Sequence, residues 1–259
     1  MSSKKKKLVL TLSGGMDSSV LLYMARDRGY SEIHTVSFDY GQRHAAELLC
    51  VDKQITNFKD GADVEVTKKG LDVRYIRDIA PSSSLTNNDI DNPNISEMAG
   101  DAQPVSYVPF RNLMFLSICS SYAESMGADT VWYGAAQVDS LAGYWDGSEE
   151  FVDVVNNVTA LNRESRVKIE APLIDMSKAE IIKEGIRLGV KFKDTWTCYS
   201  NGKVKVHNES CELIADATTP SSSMRVKGFI DAGYKDPIQY IQQEKLDKLY
   251  KENKCKECA

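Results

Sequence analysis

A short apolar run, Leu8 to Leu12, passes directly into Ser13-Gly14-Gly15-Met16-Asp17-Ser18-Ser19 and then into a helical pattern that stops at Gly29. Strand, glycine turn and helix in that order aim several backbone N–H groups at one spot, and the two glycines let an anion come close to the backbone. Such a unit is a phosphate cradle by construction. It lacks the Gly-Lys-Ser/Thr ending of a Walker loop, and G-x-G-x-x-G is absent. Neither a γ-phosphate site of that kind nor a dinucleotide fold is therefore favoured.

Apolar runs alternate with helical patterns along most of the remaining chain, the signature of βαβ units. The pattern predicts strands at Leu8–Leu12, Ile33–Phe38, Val64–Val66, Thr130–Gly134 and Val167–Glu170. Helices are predicted from Ser18 to Arg28, Gln42 to Asn57, Asn112 to Met126 and Glu149 to Leu161. Ser177-Lys178-Ala179-Glu180 reads as a capping box that opens a further helix, closed by Gly189. The expected fold is α/β: a doubly wound, mainly parallel sheet over residues 8–194, with a small C-terminal cysteine-bearing subregion. Residues 1–7 read as a basic tail, and 81–107, rich in Ser, Asn, Asp and Pro, as a polar lid or an idle insertion. Residues 195–259 read as mainly helical, with a last helix from Pro237 to Lys251.

Charge narrows the partners. There are 32 Lys and Arg against 37 Asp and Glu, a net charge of −5, and the cations include the run Lys4 to Lys7, so the body is acidic. Sequence-blind binding of nucleic acid needs a basic face, so a small-molecule substrate suits this chain better. No apolar stretch approaches the roughly 20 residues of a membrane span. Cysteines at 50, 119, 198, 211, 255 and 258 do not look like a secreted disulfide scaffold. A cytoplasmic protein with no membrane and no direct nucleic-acid partner is expected.

A second motif, Phe38-Asp39-Tyr40-Gly41-Gln42-Arg43-His44, closes the second strand, with Glu47 one helical turn on. The carboxyl ends of strands in an open α/β sheet line the ligand crevice, so these side chains share the opening with the first loop. The first loop resembles the S-G-G-x-D-S loop of the ATP pyrophosphatases (PP-loop enzymes, with an adenine nucleotide alpha hydrolase-like fold). The second motif resembles the F-D-Y-G-Q-x-H stretch of the QueC family, the 7-cyano-7-deazaguanine synthases. Val108-Pro109-Phe110-Arg111-Asn112 is similar to that family's V-P-G-R-N, and Gln137-Val138-Asp139 with Gly143-Tyr144 to its A-V-D and S-G-Y. Ala171-Pro172-Leu173 with Ser177-Lys178-Ala179-Glu180 is similar to its A-P-L-x-x-x-S-K-x-E.

The resemblance implies a ligase that converts 7-carboxy-7-deazaguanine, ammonia and ATP with Mg²⁺ to 7-cyano-7-deazaguanine through an acyl adenylate and an amide. It implies ATP on Leu12, Ser13, Gly14, Gly15, Met16, Asp17, Ser18 and Ser19, with Asp17 near the metal. Tyr40, Gln42, His44, Asn112 and Asp139 would meet the substrate, Asp139 at the base edge. Asp17, His44, Arg111 and Lys178 would carry the chemistry, Arg111 neutralising carboxylate or phosphate and Lys178 approaching the phosphates. A homodimer is implied by the resemblance alone. Other adenylating PP-loop enzymes, such as a tRNA thiolase, and a non-catalytic nucleotide-binding module are the competing readings.

Thr195-Trp196-Thr197-Cys198-Tyr199 is similar to the family's T-W-S-C-Y, whose cysteine opens a C-x8-C-x2-C-x2-C zinc site. Here positions 207, 210 and 213 hold His207, Ser210 and Leu213, and Thr218 to Ser223 contains no cysteine. A rearranged Zn²⁺ site on Cys198, Cys211, Cys255 and Cys258 is the expectation, with His207 as a possible substitute. An unliganded tail and a redox pair stand as its alternatives. Two further departures are Phe110, where the family has glycine, and Gly147, where it has cysteine. They leave open a reaction that stops at the amide, acts on a related carboxylate, or uses a substrate held by a protein partner.

Overall fold

The structure, a computed structural model, describes residues 5–42, 46–60, 63–87, 89–90, 104–198, 203–207 and 210–258, with the backbone alone at 46, 138, 140, 203–207 and 210–213. β1 (Lys7–Thr11), β2 (Glu32–Asp39), β3 (Glu65–Asp72), β4 (Thr130–Trp132) and β5 (Lys168–Glu170) form a five-stranded sheet in the order β3-β2-β1-β4-β5. All its pairings are parallel, with Lys7 opposite Glu32 and Val9 opposite Val131. The helices among the described residues are α1 (Met16–Asp27), α2 (Ala46–Lys59), α3 (Ile76–Ile79), α4 (Arg111–Met126), α5 (Gln137–Leu141), α6 (Glu149–Thr159), α7 (Lys178–Leu188), α8 (Pro220–Ala232) and α9 (Gln243–Glu252).

Successive side chains of a strand point to opposite faces, and here that alternation feeds two cores. Leu8, Leu10 and Leu12 pack with Leu21 of α1, Phe58 of α2 and Ile181 of α7. Val9, Val36 and Phe38 pack with Leu116 and Cys119 of α4 and Phe151 of α6. The sheet is therefore doubly wound, as its periodicity predicted. The chain walks outward from β1 to β3, then returns to place β4 on the free side of β1. That reversal opens a crevice outside the carboxyl ends of β1 and β4, the place where such sheets bind ligands.

The capping box forms as read: the Glu180 N–H donates to Ser177 Oγ at 3.3 Å, and Ser177 N–H donates to Glu180 Oε2 at 2.8 Å. Gly189 closes α7 at φ 83°. β3 runs to Asp72, beyond the expected Val66. Its added stretch is polar because β3 is an edge strand, where lysines such as Lys68 and Lys69 discourage further pairing. The basic segment is bound rather than loose from Lys5 onward. Lys5 pairs with Glu65 at 2.8 Å, and Lys7 opens β1 with its Nζ on Glu32 at 2.9 Å. Residues 1–4 lie outside the described residues.

The C-terminal part contains strands as well as helices. β6 (Lys203–His207), β7 (Ser210–Ala215) and β8 (Gln239–Tyr240) make a three-stranded sheet. The expected last helix starts at Gln243 rather than Pro237, because Gln239 and Tyr240 are extended and pair in parallel with β7. Phe229 of α8 enters the first core, and Trp196, Tyr240 and Tyr250 form a third core that takes in Cys50 of α2. Arg225 is 1% exposed and donates to both oxygens of Asp236 (2.7 and 3.0 Å), to Thr195 Oγ1 (2.7 Å) and to Phe192 O (3.1 Å). The Trp196 N–H donates to Gly14 O at 3.1 Å, tying this part directly to the first loop.

Candidate active site

The glycine loop sits between β1 and α1. Gly14 has φ 90°, and a Cβ there would lie 2.1 Å from the backbone oxygen of Glu47; a Cβ on Gly15 would lie 2.5 Å from Glu47 Oε1. Gly15 is the N-cap of α1 and supplies no side-chain cap, so the first turn of the helix presents its N–H groups without one. The loop is braced from within by Ser13, whose Oγ bonds Glu47 Oε1 at 2.6 Å and lies 3.1 Å from Ser18 Oγ. Ser19 Oγ donates to Gly15 O at 2.7 Å. Uncapped donors in a rigid loop fit a polyphosphate. Leu12 and Met16 are buried in the core beneath the loop and act as its floor.

Asp17 and Lys178 meet beside that loop, Nζ to Oδ2 at 2.5 Å. Burial works against the lysine charge, but Asp17 and Asp139 outweigh it and hold the Lys178 pKa above its ordinary value. The other oxygen, Asp17 Oδ1, is buried with no hydrogen-bond partner. An anionic oxygen left unsatisfied beside a phosphate cradle fits a divalent cation, so Asp17 would hold Mg²⁺ and the cation would offset phosphate charge there. Burial raises the Asp139 pKa, with Lys178 opposing, and Asp139 Oδ2 accepts the Ala136 N–H at 2.9 Å.

Across the crevice stands Arg111, the first residue of α4. Its Nη1 donates to Tyr40 Oη at 3.3 Å, its Nε and Nη2 both reach Asn112 Oδ1 at 3.3 Å, and its guanidinium lies 5.5 Å from the Tyr40 ring centre. Burial raises the Tyr40 pKa, so its hydroxyl stays protonated. Gln42 is spent locally: its Oε1 accepts the Tyr40 N–H at 2.9 Å and its Nε2 donates to Phe38 O at 3.3 Å. It shapes the turn that presents Tyr40. His44 lies outside the described residues.

One cleft of about 270 Å³ collects Ser13, Gly15, Asp17, Ser18, Tyr40, Gln42, Arg111, Asn112 and Asp139. It also takes in Leu85, Ser106, Tyr107, Phe115, Tyr133, Tyr144, Asp146 and Thr197, which the sequence reading did not single out as site residues. Tyr133 follows β4 at its carboxyl end, the signal that would have found it. The two ends of the 81–107 segment clasp each other, Ser84 N–H to Val105 O at 3.0 Å, and bring Leu85, Ser106 and Tyr107 to the cleft. Its middle, 91–103, lies outside the described residues. Phe110 adopts the left-handed φ of 53°, which explains why glycine suits this position. Its ring packs edge-on against Trp145, centres 5.6 Å apart.

The family described as Queuosine biosynthesis protein QueC matches residues 7–233. The chain belongs to the QueC family. It is 39% identical to the 7-cyano-7-deazaguanine synthase of Clostridium kluyveri over 91% of this chain and 98% of that one. The synthase of the same name from Thermoplasma volcanium is 36% identical, over 96% of this chain and 95% of its own. That of Stutzerimonas stutzeri is 38% identical, over 92% and 99%. In this QueC-family chain the blocks that hold Ser13, Tyr40, Arg111, Asp139 and Thr197 line one cleft, and Lys178 joins it through Asp17.

Of the expected zinc quartet, the side chains of Cys198, Cys255 and Cys258 are described and that of Cys211 is not. Among the described residues no group of three or more His, Cys, Asp or Glu side chains is placed to hold a metal, although Cys198, Cys255 and Cys258 are all described. Cys198 Sγ faces Asp216 O at 3.9 Å and Thr219 Oγ1 at 3.7 Å in the third core, where Cys255 also packs, while Cys258 packs against the first. The side chains of His207 and Cys211 lie outside the described residues. Among those residues no helix is long and apolar enough to cross a membrane.

Proposed function

We propose that this chain converts 7-carboxy-7-deazaguanine and ammonia to 7-cyano-7-deazaguanine at the expense of ATP, with Mg²⁺. The observation that carries the reading is a single cleft lined by the glycine loop, Asp17 and Arg111 among aromatic rings, with Lys178 paired to Asp17. A carboxylate oxygen is a poor leaving group, and adenylation supplies a good one. The substrate carboxylate attacks the α-phosphorus of ATP, the bond to the β-phosphate breaks, and pyrophosphate leaves. Ammonia attacks the acyl carbon and AMP departs with a carboxylate oxygen, giving the amide. The amide oxygen repeats the attack on a second ATP, and loss of AMP and two protons gives the nitrile.

The protein's share is position and charge. Loop N–H groups and Lys178 hold the departing pyrophosphate, and Arg111 neutralises the substrate carboxylate. Phe115, stacked on Phe38 with ring centres 3.9 Å apart, supplies a flat apolar wall for a base. No step uses zinc. A cytoplasmic setting and a homodimer belong to the same proposal, the second supported by family resemblance only; sedimentation equilibrium tests it.

Both original carboxylate oxygens leave in AMP, so a doubly ¹⁸O-labelled substrate is the test. Mass spectrometry should find the nitrile and about two singly labelled AMP per nitrile. An amide with about one labelled AMP would show a reaction halted half-way, the outcome that Phe110 in a glycine position makes worth measuring. Neither product would overturn the reading in favour of another acceptor.

A further inference from the structure

The base-reading role expected of Asp139 sits poorly with its surroundings. Asp139 Oδ2 is engaged by the Ala136 N–H at 2.9 Å, and after burial the charges that act on it are first Lys178 and Asp17, beside the glycine loop, and then, more weakly, Arg111. A second carboxylate faces the same cleft. Asp146 is 3% exposed, lines the cleft, and lies in the short turn Trp145–Gly147. Its backbone is held from two sides: Tyr133 Oη donates to Asp146 O at 3.3 Å, and Gly147 N–H donates to Tyr144 O at 3.0 Å. Tyr144 is fixed in turn by Ser106, Oη to Oγ at 2.6 Å. Among the described residues no lysine or arginine forms an ion pair with Asp146; Arg111 is the charge that acts on it, and the Asp146 N–H and the Asn112 N–H also reach its carboxyl.

A carboxylate buried without an ion pair is costly unless donors reach it. The far edge of a 7-deazaguanine, away from its carboxylate, offers two adjacent donors, N1–H and the 2-amino group. A carboxylate has two acceptor oxygens at matching spacing and no donor to clash with them. With Arg111 at the substrate carboxylate, the opposite edge needs such a partner. We infer that Asp146 is the specificity residue that reads the N1–H and 2-amino edge of the deazaguanine. The inference rests on the proposed substrate. A purely structural role for Asp146, capping the start of α4 through the Asn112 N–H, would be blind to what the base carries at position 2.

The Asp146→Asn variant separates the two. Asparagine offers one acceptor and one donor, which matches the N1–H and 2-oxo edge of 7-carboxy-7-deazaxanthine and clashes with the 2-amino group. Wild-type enzyme should favour the 2-amino over the 2-oxo substrate by about 100-fold in kcat/KM, because a mismatched buried partner is left unpaired. In Asp146→Asn the preference should fall by at least that factor or invert, with the KM for ATP unchanged. Equal loss on both substrates, or no change on either, overturns the inference. If the variant does not fold, wild-type enzyme is compared on the 2-amino, 2-oxo and 2-unsubstituted acids, and equal kcat/KM on all three overturns it. A wild-type enzyme inactive on every one of them would instead refute the substrate assignment itself.

Discussion

Phe110 illustrates how one residue can hold an unfavourable backbone. A side chain at φ 53° pays roughly 1–2 kcal/mol, and the edge-on contact with Trp145 returns about 0.5–1.5 kcal/mol. Phe110→Ala loses the contact and keeps the strain, whereas Phe110→Gly loses the contact and relieves it. The glycine variant should therefore be the more stable of the two by about 1 kcal/mol in urea denaturation; equal midpoints would contradict the strain. Lys178 makes a second test at this scale. Lys178→Met leaves the Asp17 carboxylate without its cation and should lower kcat/KM by at least about 100-fold, whereas the exposed Lys183 on the same helix can be replaced without effect. Steady-state kinetics of the two variants check this. Cys50 and Cys119 are pushed up to about 11 and about 12 by burial, so at pH 8 they should resist iodoacetamide in the folded enzyme and react once it is unfolded. Peptide mapping reads the outcome.

At the scale of elements, α7 shows a helix start serving a site. The capping box places Lys178 as the first helical residue, opposite Asp17. Ser177→Ala should cost about 1 kcal/mol of stability and also lower activity, since the same turn aims the lysine. A loss of stability with full kcat/KM would separate cap from site. Much of this was legible: the alternation of Leu8, Val9, Leu10 and the glycines at 14 and 15 announced strand, loop and helix, and Ser177 to Glu180 announced the cap. The β6–β7 hairpin was not read, although Lys203-Val204-Lys205-Val206-His207 alternates as a strand should. Its signal was overshadowed by cysteines placed for a metal. Asp146 was missed for another reason. It sits in a turn of three residues, too short for periodicity, and only the folded chain brings it to a cleft built from β1, β2 and β4.

For the whole molecule, alkaline pH is the weak side. Burial raises the pKa of Tyr23, Tyr30, Tyr40, Tyr133, Tyr144, Tyr240 and Tyr250, and of Cys50 and Cys119. A group whose folded pKa is raised lends stability that is intact below its unfolded pKa and lost as pH climbs through the folded one. All nine shifts act in the same direction. Urea midpoints should hold level to about pH 8 and then fall steadily from about pH 9 upward, in the range where free thiols and phenols ionise. A midpoint that rises between pH 9 and 11 would contradict the burial of these groups.

The hydrogen bond from Trp196 to Gly14 has a consequence for anyone who treats the molecule as interchangeable modules. The glycine loop takes part of its support from a residue 182 positions downstream, and Thr197 beside it reaches the cleft. A chimera that grafts another relative's C-terminal quarter onto residues 1–194 must therefore keep the backbone N–H at position 196 in register with that loop. Without it, the graft would unsettle the very loop it was meant to leave untouched.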